Sequence, residues 1–399
     1  MVGATTPYVP GKTKREKMLV FGLPRIDDDE IEEVEQTLRS GWLGTGPKVH
    51  RFENLFREYT GAAHAMALNS CTAALHLAMV SAGVKAGDEV ITTPMTFCAT
   101  ANAVIHAGAK PVFVDVDRTT MNIDPERVER AVTPKTRAIL PVHFAGRPCD
   151  MDAILDIARR RGLLVVEDAA HCIEGVYRGR KVGAIGDVTC FSFYVTKNIT
   201  TAEGGMATTR REDLADKIKM YGLHGMSRDA WKRYSDSGYV QYDVVFPGFK
   251  YNMTDLQASL GIHQMARIDR WWLRRQEVWR RYDEAFADLP VIRPAPPEPD
   301  TRHARHLYTL LVDNKEAKIS RDDFQRELFE RRIGTGIHFK SLHLHEYYRN
   351  AFDHHRGDFP NAEYISDRTI SLPLSAAMSE EDVQDVIDAV REALLHGNR

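Results

Sequence analysis

One lysine stands where a chain could use it as an amine rather than as a solvated charge. The stretch Phe191 to Arg210, FSFYVTKNITTAEGGMATTR, opens with an aromatic run that reads as a strand entering a core, then delivers Lys197 into a polar segment closing on Gly204 and Gly205. An ordinary lysine, with a pKa of about 10.4, is a poor nucleophile at neutral pH. Withdrawn from water or made into an imine, it becomes the amine that holds a carbonyl cofactor. Alone, a solvated loop lysine is the commoner reading, so its company decides. A pyridoxal-type cofactor is an electron sink that works best with a carboxylate opposite its protonated ring nitrogen. The run LLVVED, ending at Asp168, looks like a strand buried on both faces whose carboxyl end opens onto a site. Asp168 fits that partner; it equally fits an N-cap for a helix beginning at Ala169 and Ala170, and spacing leaves both open. For a phosphate, Asn69 to Gly83 (NSCTAALHLAMVSAG) places small polar residues directly before an amphipathic helical run, so that free amides and a positive dipole end meet an anion. Ser70 and Thr72 can also be plain caps. Ser192 adds a hydroxyl five residues before Lys197. Pyridoxal phosphate answers to this set.

The elements that must position these groups alternate along the chain. Helical and short strand patterns succeed one another from Val49 to His106, and further strands follow at PVFVDVD, AILPVHF, LLVVED, VTCFSFY and GMATT, with an amphipathic helix over Asp150 to Gly162. Such alternation predicts a largely parallel α/β sheet with ligands at the carboxyl ends of its strands. Phe97, just past DEVITTP, falls at such an end; a core aromatic at a helix start is the plainer alternative. Residues 211–252 read as irregular, and a long helical pattern from Thr254 could bridge two domains until Pro-rich residues 290–300 break it. Beyond it a smaller unit reads as strand HLYTLLVDN, helix SRDDFQRELFERR, strand GTGIHF and a last helix SEEDVQDVIDAVREALL.

At 399 residues two domains are expected. A formal charge of −3, from 53 basic and 56 acidic residues scattered along the chain, provides no field for nucleic acid or membrane. Five widely spaced cysteines without a CxxC pair read as reduced thiols of a cytoplasmic protein, and no stretch approaches a signal peptide or membrane span. The histidines at 343, 345, 354 and 355 lie in what reads as a hydrophilic loop and lack the spacing of a metal site; no metal is expected.

The motifs NSCTAAL, TPMTFCATANAV, VHFAG, VVEDAAHCIE, GDVTCFSFYVTKN, TAEGGM and GFKYNMTDLQASLG follow one another in an order and spacing that resembles the DegT-type sugar aminotransferases of the fold-type-I pyridoxal phosphate enzymes. SGWLGTGPKVHRFE (Ser40 to Glu53) and IGTGIHFKSLHLHEYYR (Ile333 to Arg349) resemble the family's two ends. Residues 1–18, polar, Pro-containing and basic, read as an arm; the resemblance implies a large mainly parallel-sheet domain over 19–270 that binds the cofactor and a small C-terminal α/β domain over 271–399. It implies that Lys197 holds the cofactor as an imine and shuttles the proton, that Asp168 faces the ring nitrogen, and that His171 lies near the phenolic oxygen. By the same resemblance Cys71, Thr72 and Ser192 contact the phosphate, Phe97 stacks on the ring, and Asn252 reaches the phosphate of a neighbouring subunit, so that a homodimer shares its active sites. Cys71 stands where many relatives have glycine, which raises the question of crowding.

The implied reaction moves an amino group from glutamate to a nucleotide-linked keto sugar. GMSRDAWKR, GFKYNMTDLQASLG and GTGIHFKSLHLHEYYR look most like the branch that aminates C4 of UDP-linked 4-keto sugars, with His338 and Lys340 on the sugar side. C3 or C4 amination of a dTDP- or GDP-linked sugar is the alternative. In a dehydratase branch histidine replaces the imine lysine, and Lys197 argues against it; a cofactor-binding regulator would append a DNA-binding unit that this chain does not show.

Overall fold

A computed structural model describes residues 15–226 and 242–396. In chain order its first elements are α1 (Asp28–Ser40), α2 (Pro47–Thr60), β1 (His64–Leu68), α3 (Cys71–Ser81), β2 (Glu89–Thr92), α4 (Cys98–His106), β3 (Lys110–Phe113), α5 (Pro125–Ala131) and β4 (Thr136–Ile139). There follow α6 (Met151–Arg161), β5 (Leu164–Asp168), β6 (Val176–Tyr177), β7 (Arg180–Lys181), β8 (Val188–Ser192), β9 (Gly205–Thr209), α7 (Glu212–Gly222) and α8 (Asp255–Ala285). The C-terminal part holds β10 (Val291–Ile292), β11 (Tyr308–Val312), α9 (Asn314–Ala317), α10 (Arg321–Glu330), α11 (Glu346–Phe352), α12 (Pro360–Ser366), β12 (Thr369–Leu372) and α13 (Glu380–His396).

Seven strands form one sheet in the order β1-β9-β8-β5-β4-β2-β3. Pairing is parallel from β8 through β5, β4 and β2 to β3; β9 runs against both its neighbours. Burial on both faces explains the unbroken apolar runs of these strands. On β5, Val166 packs with Leu75 and Ala78 of α3, whereas its neighbour Val165 packs with Ile154 and Ile157 of α6 on the other side. The helices are fixed by their caps. Ser70 Oγ accepts from the amide of Ala73 at 3.1 Å and starts α3, and Thr254 with Gln257 forms a capping box that starts α8.

A second, antiparallel sheet joins β10, β11 and β12. Helix α8 serves both cores. Its Ile262, Met265, Ile268 and Trp271 pack with Phe52, Phe56 and Phe193, while Val278, Trp279 and Tyr282 pack with Tyr308, Leu310, Ile370 and Val386. Leu19 belongs to the second of these cores, and Arg15 pairs with Asp382 and Asp385 at 2.7 and 2.5 Å; residues 1–14 of the expected arm lie outside the described residues.

Four expectations need correction. The segment GTGIHF is not a strand: one isolated bridge joins Ile333, just before it, to Leu19, another joins Gly336 to Ser371, and the backbone pairing with Ser371 stops there. Within the segment expected to be irregular, residues 212–222 form α7, held by Leu214, Ala215 and Ile218 against α3; residues 227–241, with most of GMSRDAWKR, lie outside the described residues. No helix follows Asp168, because Ala169, Cys172 and Ile173 turn inward to pack with Phe191 and Phe193. His343 is buried, bonded to Glu363 and Ser341 at 2.9 Å each, rather than in a solvated loop.

Candidate active site

The carboxyl ends of β5 and β8, the N-terminus of α3 and the start of α4 meet at a cavity of about 520 Å³. Strand β5 ends in Asp168 and β8 in Ser192, both on its wall. Lys197 is carried by the loop after β8, whose ends are tied together: Phe193 donates its amide to Gly204 O at 2.9 Å and accepts from the Thr201 amide at 3.0 Å. Phe193 is fully buried, so the loop is anchored in the core while its middle faces the cavity. The Lys197 amide donates to Tyr194 O at 2.8 Å, which closes a tight turn and sets the direction of the side chain.

Of the residues singled out from the sequence, Lys197, Asp168, His171, Ser192, Cys71 and Thr72 line this one cavity. Phe97 and His338 line it as well. Phe97 is 60% exposed, which removes the reading of a core aromatic. Two do not join them. Lys340 is exposed and off the cavity wall. Asn252 lines a separate cavity of about 480 Å³ with Trp42, His50 and Lys219; its Nδ2 donates to Thr45 Oγ1 at 2.7 Å, and its buried Oδ1 has no partner among the described residues.

The electrostatics are those of buried ionisable groups. Burial pulls the Lys197 ammonium down to about 8, against the pull of Cys71 and Asp168 in the other direction. At neutral pH about a tenth of that amine is unprotonated, against less than one part in a thousand for an ordinary lysine. Burial pushes the Asp168 carboxyl up, offset by hydrogen bonds from Thr100 and the Ala170 amide and by Lys197. Asp168 Oδ2 accepts from Thr100 Oγ1 at 2.7 Å and Oδ1 from the Ala170 amide at 3.1 Å. Because Thr100 gives its proton to Asp168, Thr96 must be the donor in the 2.7 Å contact between the two threonines. Burial also holds the pKa of His171 far below its usual value and keeps the ring neutral, and its buried Nδ1 has no partner among the described residues. His338 is pushed down to about 4 by burial and then by Lys197.

Sequence reasoning missed Thr100, Phe339 and His306. Thr100 lies one helical turn beyond Phe97 on α4, so the same face was open to inspection. Phe339 stacks on His171 with an interplanar angle of 15°. His306 stands between RHAR and β11 without a local pattern to mark it.

Residues 24–391 match the DegT/DnrJ/EryC1/StrS aminotransferase family. The chain is similar to the spore coat polysaccharide biosynthesis protein SpsC of Bacillus subtilis (strain 168), 53% identical over 95% of this chain and 98% of that one. Among solved structures it is similar to Spr1654 from Streptococcus pneumoniae in its PLP-form, with a TM-score of 0.88 and 34% identity over 95% of this chain and 99% of that one. It is likewise similar to Helicobacter pylori PseC, an aminotransferase involved in the biosynthesis of pseudoaminic acid, with a TM-score of 0.88 and 28% identity over 95% and 100% of the two chains. Fold, cavity and sequence thus converge, and the chain belongs to the DegT/DnrJ/EryC1/StrS aminotransferase family, with the fold-type-I architecture expected from its motifs.

Proposed function

We propose that this protein transfers an amino group from glutamate to C4 of a UDP-linked 4-keto sugar. It is a pyridoxal phosphate-dependent sugar aminotransferase; the position of amination, the nucleotide and the donor are the finer reading. The observation that carries it is the meeting of Lys197 and Asp168 in one cavity beside the N-terminus of α3.

The residues fit the cofactor. Asp168 is a buried carboxylate whose pKa is pushed up by burial, and a protonated ring nitrogen beside it would favour its charged form. The first amides of α3 have no partners within the helix, Ser70 takes only that of Ala73, and the hydroxyls of Thr72 and Ser192 stand beside them, which is a phosphate's donor set. The unpartnered Nδ1 of His171 is a further polar atom awaiting a ligand. Bound there, pyridoxal phosphate supplies an electron sink for the carbon that carries the transferred amine. Lys197 Nζ would hold the cofactor and move the proton at that carbon; as a partly buried amine it can take up and release a proton near neutral pH. Phe97 would cover the cofactor's ring, and His338 and Lys340 would lie on the sugar side, His338 on the cavity wall and Lys340 outside it.

The unpartnered Oδ1 of Asn252 and its place outside the cavity support an action on a second subunit, hence a homodimer with shared sites. Five free cysteines, four of them buried, suit a cytoplasmic enzyme. An amination screen with glutamate across nucleotide-linked 3-keto and 4-keto sugars tests the reading. The 4-keto UDP sugars are expected to turn over fastest; preference for a 3-keto sugar, or for dTDP or GDP, overturns the finer assignment.

A further inference from the structure

His306 sits at the cavity wall with its ring centroid 4.4 Å from that of His171, and none of the roles above uses it. Its Nδ1 lies 2.9 Å from Asn198 Oδ1. Which of these two atoms carries the hydrogen can be worked out from the far end of the asparagine. Asn198 Nδ2 lies 2.6 Å from Glu174 Oε2 and 3.1 Å from Ala304 O, both of which can only accept. Nδ2 is therefore the amide NH₂ and Oδ1 the acceptor, so the hydrogen on the shared contact belongs to His306 Nδ1. The asparagine cannot flip, because Glu174 is itself held by Arg275 Nη2, and both partners of that pair are buried. Burial, reinforced by Lys197, His338 and Arg275, keeps the imidazole neutral. A neutral ring with Nδ1 protonated has a bare lone pair on Nε2. That atom makes no hydrogen bond among the described residues, and His306 is one of the residues that line the cavity.

A bare imidazole nitrogen accepts a hydrogen bond from a hydroxyl and repels a carboxylate. We propose that His306 is a substrate-binding residue whose Nε2 accepts a hydrogen bond from a hydroxyl of the keto sugar, with Asn198, Glu174 and Arg275 as positioning residues that fix its tautomer. This rests on the sugar-aminating reading above. It assigns His306 to one half of the reaction only, since glutamate has no hydroxyl to offer and its carboxylates would be turned away.

Two measurements test it. In the cofactor-free protein labelled with ¹⁵N-histidine, long-range ¹H–¹⁵N correlations are expected to show His306 with Nδ1 protonated and Nε2 bare, the tautomer that free histidine disfavours; His306→Gln assigns the signal. A ring protonated on Nε2 overturns the proposal whatever the variants do. The second measurement follows the two half-reactions separately by the cofactor's absorbance. His306→Phe is expected to leave the glutamate half-reaction within about twofold of wild type and to raise the sugar KM at least tenfold, and His306→Gln, whose Oε1 can accept, to recover most of that loss. Equal losses in both halves, or an unchanged sugar KM, overturn the assignment. A wild-type enzyme that turns over glutamate and no keto sugar overturns the substrate reading instead, and His306 falls with it.

Discussion

Lys197 and Asp168 were legible as residues of one site because each follows an apolar run that reads as a buried strand, and the cavity contains both. Thr100 and His306 were not, since a threonine inside a helix and a histidine before a strand are ordinary until the fold brings them to Asp168 and His171. The Asp168 carboxylate makes two hydrogen bonds to protein, and an amide at this position could keep one acceptor for Thr100 while losing the charge. Asp168→Asn is therefore expected to keep pyridoxal phosphate bound but to slow transamination at least a hundredfold, read as single-turnover loss of the cofactor's absorbance with glutamate; near-normal turnover would reduce Asp168 to a structural acceptor. For Lys197 the sign of the pH effect follows from its depressed value of about 8. Folding disfavours the protonated amine, so the lysine lowers stability below pH 8, and this cost fades as pH rises from 8 toward the unfolded value of about 10.4. Cofactor-free Lys197→Met is expected to be more stable than wild type by about 1 to 3 kcal/mol at pH 7, with the two denaturation curves converging by about pH 10. A gap that is constant with pH would mean that packing, not charge, is responsible.

Strands β5 and β8 were readable from their apolar runs, and α3 from its small polar start. GTGIHF was misread because its alternation mimics a strand, whereas the chain at Gly336 makes a single bridge and then carries His338 into the cavity. Sequence periodicity cannot separate a strand from a segment that only brushes a sheet, because both alternate and the difference is made by the neighbour. The arrangement of α3 over β9 depends on Gly205. A Cβ at that position would lie 2.4 Å from Cys71 N and from the carbonyl carbon of Ser70, at the point where the helix begins. Gly205→Ala should push the N-terminus of α3 out of line, so that pyridoxal phosphate affinity, measured by equilibrium dialysis, falls at least tenfold while the protein loses about 1 to 3 kcal/mol of stability. Unchanged affinity would show that the helix N-terminus does not hold the phosphate.

Helix α8 links the two cores, its residues passing from one to the other between Trp271 and Val278, and we propose that the boundary between two domains falls within this helix, beside residue 270. Leu19, expected at the start of the large domain, packs in the C-terminal core instead, an association that no local pattern could announce. At this scale Asn252 matters most, because it lies in its own cavity apart from Lys197. If it serves the partner's site, Asn252→Ala and Lys197→Ala damage different chains of one active site. Once Asn252→Ala alone is shown to be clearly impaired, subunit exchange between the two is expected to restore up to about one quarter of wild-type activity, since half the dimers are mixed and each has one intact site. Exchange confirmed by mass spectrometry without recovery would place both residues in the same chain's site. The most direct measurement on the molecule as an enzyme is borohydride reduction of the holoprotein followed by peptide mapping, with and without prior incubation with glutamate. The reduced cofactor is expected on the peptide carrying Lys197, and prior glutamate is expected to remove it; label on another lysine, or label at Lys197 that glutamate leaves untouched, would contradict an aminotransferase built around that residue.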